Sequence, residues 1–168
     1  VVGFNGEGGH SFTNITSNIN VKGSTCDVAG LFGIAHYGNK FENCSCSGNV
    51  EIYAAEEAEE AQEIGGIAGV WHNETGYTVE MKNCLFTGAL KTNIDNVNFY
   101  YNGLVGKPYS ATGEGKLIID GACVVTTADE LVAALEANQN VLLANNIKID
   151  PAKMSNAYGK TGINVKNG

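Results

Sequence analysis

Apolar residues in this chain come in short runs of four to six, each bounded by Gly, Asn, Ser or Thr. Such runs between turn formers predict many short strands rather than long helices. The spacing changes once, after Cys123. There Thr127, followed three residues later by Glu130, reads as a capping box. Asp129 suits the positive end of a helix dipole. Leu131, Val132 and Leu135 share one helical face, which predicts a short helix near residues 128–138. Asn138 is a good left-handed terminator for it. Strands are predicted over Val141 to Ala144 and Ile147 to Ile149, with Pro151 stopping the second. Gly162 to Gly168 reads as a further, incomplete coil.

The short runs repeat. Gly3-Phe4-Asn5-Gly6 is echoed by Gly30-Leu31-Phe32-Gly33, Gly66-Ile67-Ala68-Gly69 and Gly103-Leu104-Val105-Gly106. The first glycines lie 27, 36 and 37 residues apart. A second element, with an apolar residue two positions before an Asn, follows the first three copies at Asn14, Asn43 and Asn83. Gly48 and Gly88 close the second and third copies at the same offset. The fourth copy keeps only the glycine pair and a strand, Lys116 to Gly121.

No one unit can bury its own apolar face, whereas stacked units bury a shared core. Equivalent residues would then lie ~4.8 Å apart, as neighbouring strands do. The glycines are expected at corners with positive φ. Asn14, Asn43 and Asn83 are expected to stack as an amide ladder. Cys44, Cys84 and Ile15 would share one inward position, and Cys46 and Phe86 the next. The fold expected is all-β: a right-handed parallel β-helix, or solenoid, of four coils with one short helix. Residues 1–124 would form the solenoid. Residues 125–168 would either cap it or begin a second, truncated β-helix, the latter reading being preferred.

The paired-glycine core followed by Asn-Cys resembles the GLUG motif, over about residues 1–121. Proteins with such repeats are similar to secreted or surface proteins of gut bacteria, including adhesin-like proteins and some large peptidases. The first copy departs from the motif at Asn5, and the fourth lacks the Asn-Cys element. The segment after residue 124 resembles the entry of pectin-lyase-like β-helices, where a helix shields the open end.

Composition narrows the function. The chain has 168 residues, 22 of them Gly and 20 Asn, with a net charge of -8 and no Arg. A nucleic-acid partner needs a basic footprint, and an anionic membrane surface would repel this chain. No apolar run approaches the ~20 residues of a membrane helix, so no membrane insertion is expected in this segment. The chain begins on Val1 with no signal-peptide pattern and ends within a strand-like run, which suggests a fragment or processed form. The resemblance implies an extracellular or cell-surface setting.

Candidate chemistry is sparse. Cys26, Cys44, Cys46, Cys84 and Cys123 are odd in number and irregular in spacing, so they do not read as a disulfide framework. Cys44 and Cys84 could bridge across adjacent coils, but an inward reduced pair fits better. His36 and His72 follow the second glycine at the same offset and would be neighbours. Two imidazoles fall short of a zinc site. Trp71, Tyr37 and Tyr109 lie near the same edge, where an aromatic strip could stack on sugar rings. The run from Glu56 to Glu63 reads as a solvated acidic insertion. No nucleophile, metalloprotease or phosphate-loop motif is present. The Asp residues do not recur in register, and the Arg base typical of pectate-lyase-like enzymes is missing. The expected function is therefore non-catalytic, without cofactor or metal: an adhesin-like scaffold that binds host or dietary glycan or protein. Alternatives are an accessory module of a secreted polysaccharide-degrading enzyme or peptidase, and a phage tail-fibre segment.

Overall fold

In a computed structural model, the described residues are 8–24, 27–53, 63–72, 74–93, 99–100, 103–108, 114–144 and 146–148. The chain divides into two units after Gly121. The change of spacing in the sequence predicts a division three residues later, after residue 124.

In the first unit, the first repeat supplies β1 (Ser11–Thr13), β2 (Thr16–Ser17) and β3 (Val21–Gly23). The second supplies β4 (Asp27–Ala29), β5 (Phe32–Ala35), β6 (Lys40–Glu42), β7 (Ser45–Cys46) and β8 (Val50–Ile52). The third supplies β9 (Glu63–Gly65), β10 (Ala68–Trp71), β11 (Thr78–Lys82), β12 (Leu85–Phe86) and β13 (Leu90–Thr92). Then follow β14 (Phe99–Tyr100), β15 (Val105–Gly106) and β16 (Lys116–Ile119).

Equivalent strands of successive repeats pair in parallel. The resulting orders are β1-β6-β11-β16, β5-β10-β15-β14, β2-β7-β12, β3-β8-β13 and β4-β9. Phe12, Phe41, Met81 and Ile119 stand in one row across the first of these sheets. Ser17, Cys46 and Phe86 form another row, and Val21, Val50 and Leu90 a third. Alternate residues turn inward along each strand, so the core fills with these rows. Phe12, Phe32 and Phe41 pack with ring centroids 4.6–5.3 Å apart. Val28, Val50, Ile52 and Ile64 form a second buried cluster, flanked by Val21, Phe86 and Leu90.

The expected single right-handed β-helix does not form. The strands lie in five separate sheets rather than in a single right-handed β-helix or solenoid. The arrangement is also mixed, because β14 runs antiparallel to β15. The unequal repeats account for this. The fourth copy lacks the Asn-Cys element, so among the described residues nothing continues β12 and β13, and those two sheets end at the third repeat.

The glycine pairs also work differently from the expectation. Of the described glycines in these pairs, Gly103 has a positive φ, at 82°. Gly30 and Gly66 are small because their neighbours are close: a Cβ on Gly66 would lie 2.1 Å from the Phe86 ring. Gly3 and Gly6 lie outside the described residues. The Asn corners take the left-handed backbone that Asn tolerates, with φ 57° at Asn14, 54° at Asn43 and 49° at Asn83.

The second unit contains β17 (Ala122–Val125), α1 (Ala128–Glu136) and β18 (Val141–Leu143). β17 and β18 pair in parallel, and α1 buries Leu131 and Ala134. The capping box is formed: the Glu130 amide donates to Thr127 Oγ1 at 3.2 Å, and the Glu130 carboxylate accepts the Thr127 amide at 3.2 Å. Asn138 follows the helix with φ 54°. Residues 146–148 form no strand, unlike the prediction for this stretch. The expected features from residue 149 onward, Pro151 and Gly162 to Gly168 among them, lie outside the described residues.

Candidate binding site

Two tight turns carry the aromatic and imidazole side chains. Between β5 and β6, the Asn39 amide donates to the His36 carbonyl at 3.1 Å, with Gly38 at φ 72°. Between β10 and β11, the Tyr77 amide donates to the Glu74 carbonyl at 3.1 Å, with Gly76 at φ 85°. Glycine in the third position of each turn meets the left-handed requirement there. Asn39 anchors the cluster. It is fully buried, and its side-chain oxygen accepts the His10 amide at 3.0 Å. Its carbonyl accepts the Glu80 amide, also at 3.0 Å.

β5 and β10 pair in register, so the turns that follow them are neighbours. The His36 and His72 rings lie 4.3 Å apart between centroids. His36 is buried, and that burial holds its pKa below the ordinary histidine value. The His72 charge acts in the same direction and Glu74 opposes it. His72 Nδ1 is 3.5 Å from the Glu74 carboxylate. Tyr37 meets His36 edge-on at 5.5 Å and lies 4.5 Å from Tyr77, tilted by 45°. Tyr77 is 47% exposed. Its position has no counterpart in the repeat pattern, because the connection that carries it, residues 72–77, is longer than residues 36–39.

Trp71 does not join an exposed strip. It is 5% exposed, paired with Ala35 in the sheet and bridged to Pro108. Tyr109 lies outside the described residues. His10 packs near Phe12, at 6.3 Å. Among the described residues, no group of three or more His, Cys, Asp or Glu side chains is placed to hold a metal ion.

The Asn ladder is present. Asn43 Nδ2 donates to Asn14 Oδ1 at 3.2 Å, and Asn83 Nδ2 donates to Asn43 Oδ1 at 2.7 Å. Asp120 ends it by accepting the Asn83 amide at 2.7 Å. Asn20 and Asn49 form a second ladder of side chain to backbone bonds, with Asn49 and Ala89 as amide donors. Cys44, Cys46 and Cys84 are free thiols; Cys26 lies outside the described residues. The Cys44 thiol donates to the Phe12 carbonyl and the Cys84 thiol to the Phe41 carbonyl, so each reaches back one repeat. Burial pushes the Cys84 thiol up to about 11.

Glu63 departs from the expected solvated insertion. It opens β9, is 2% exposed, and forms an ion pair with Lys107. Burial pushes its carboxyl above the usual range, against the pull of Lys107. The preceding residues 54–62 lie outside the described residues.

No family model, no curated protein and no solved structure matches the chain. Among the described residues, no helix is long and apolar enough to cross a membrane.

Proposed function

We propose that the chain is a non-catalytic, adhesin-like binding module of a secreted or cell-surface protein, recognising host or dietary glycan or protein. The GLUG-like repeats belong to the same reading. The observation that carries it is the in-register pairing of equivalent strands from successive repeats. Outward side chains then stand side by side over several repeats, and repeat surfaces of this kind serve as binding faces. Carboxylates on these faces are engaged across repeats: Glu80 with Lys40, Glu42 with Lys82, and Glu51 with Lys22. Such pairing suits a scaffold better than acid–base chemistry, which needs carboxylates held ready for a reacting group. The test is to immobilise the chain and expose it to neutral and acidic glycans, mucin and extracellular-matrix proteins. Saturable binding to at least one is expected; binding to none overturns the proposal.

A further inference from the structure

The aromatic edge at the β5–β6 and β10–β11 turns has a definite chemistry. We propose that Tyr37 and Tyr77 form a stacking platform for a neutral pyranose ring, with the Glu74 carboxylate accepting hydrogen bonds from its hydroxyls. The inference deepens the binding-module reading and rests on it.

The two rings lie 4.5 Å apart between centroids, so they touch and leave no slot between them. A ligand must therefore lie on the outer face of Tyr77, with Tyr37 packed beside it at a tilt of 45°. Tyr77 offers that surface, being 47% exposed. Tyr37 is held from below: a Cβ on Gly8 would lie 2.6 Å from its ring, and His36 packs edge-on against it. Tyr37 is therefore held in place behind Tyr77, so binding would chiefly order the Tyr77 side chain.

A pyranose presents a flat face of C–H groups, which matches a tyrosine ring, and a rim of hydroxyls. The Glu74 side chain is 52% exposed and lies 3.5 Å from His72 Nδ1. An ionised carboxylate only accepts hydrogen bonds, so it matches sugar hydroxyls. It repels a sialic acid or sulfate, as does the net charge of -8. Neutral glycans are therefore the ligand class.

Saturation-transfer NMR with neutral oligosaccharides, lactose among them, and their sialylated counterparts tests this on the full chain. The wild type is expected to bind a neutral sugar more tightly than its sialylated form. Tyr77→Ala should weaken binding by about tenfold or more, while Tyr77→Phe should retain it. An unchanged melting midpoint for Tyr77→Ala separates lost stacking from lost folding. Glu74→Gln should narrow the gap between neutral and sialylated ligands. Equal binding by wild type and Tyr77→Ala, or preference for sialylated sugars, overturns the platform. Binding to a matrix protein with no carbohydrate signal overturns the platform and leaves the module reading standing. No binding to either overturns both.

Discussion

Replacing Asn43 separates the two contributions that hold the Asn corner. Its side chain makes two ladder bonds, at 3.2 Å to Asn14 and 2.7 Å to Asn83, and its backbone sits at φ 54°. The ladder is exposed, so each bond should contribute at the low end of the usual range, or ~1 kcal/mol for the two. Left-handed backbone costs an ordinary residue with a Cβ ~1–2 kcal/mol. Asn tolerates it better than Ala, and Gly is nearly indifferent. Asn43→Ala loses the bonds and meets the strain, giving ~2–3 kcal/mol of destabilisation. Asn43→Gly loses the bonds without the strain, but its freer unfolded chain costs ~0.5–1 kcal/mol. The alanine variant should therefore be less stable than the glycine variant by roughly 0.5–1 kcal/mol. Urea unfolding at neutral pH, followed by far-ultraviolet circular dichroism, reads both. An alanine variant as stable as the glycine variant would refute the strain argument, and two variants equal to wild type would refute the ladder.

Three further outcomes follow from titratable groups that are buried or half-buried. With its thiol pushed up to about 11, Cys84 should alkylate with iodoacetamide at mildly alkaline pH about a hundredfold more slowly than a free cysteine; peptide mass spectrometry giving a free-thiol rate would refute this. The folded His36 resists protonation, so as pH falls below about 6.5 the unfolded chain gains a proton that the folded chain does not, and stability drops. His36→Phe should flatten that slope, and an identical slope in the variant would count against the assignment. Glu63 has the opposite sense: its folded pKa is raised, so its favourable contribution is complete below about pH 4.5 and is lost as pH rises through the folded value. Glu63→Gln should be as stable as wild type at neutral pH, or more so; a loss above ~2 kcal/mol would mean that the Lys107 pair outweighs the burial cost.

Much of the repeat architecture was legible, for definite reasons. Asn14, Asn43 and Asn83 recur at one offset from an apolar residue, and their backbone demands a residue that tolerates positive φ. The shared inward position of Cys46 and Phe86 followed from the alternation within each strand. The single wound β-helix did not hold, because in-register pairing is a local property of adjacent repeats. Whether all strands join one continuous structure depends on the irregular stretches between them, where β14 turns antiparallel. Asp120 went unrecognised because it replaces an Asn side chain with a carboxylate that accepts a backbone amide instead. Glu63 was misread because an acidic run looks solvated until pairing with β4 draws its last member inside, next to Lys107.

The candidate site arises where the repeats differ. Between β5 and β6 the connection is residues 36–39, and Tyr37 occupies the second position of its turn. Between β10 and β11 it is residues 72–77, and Tyr77 occupies the fourth position of the corresponding turn. A perfect repeat would have placed equivalent side chains one directly above another. The longer third connection instead brings a tyrosine from a different turn position beside Tyr37, and leaves it 47% exposed. It also carries Glu74 to the same edge, beside His72. The strands that keep the repeat bury its rows of apolar residues, so they have little freedom to vary. The turns are constrained at fewer positions: a left-handed third residue, supplied by Gly38 and Gly76, and in the first turn the buried His36 and Asn39. The exposed turn positions are therefore freer than the strands to change in length and side chain, while the paired strands hold the two turns in fixed proximity.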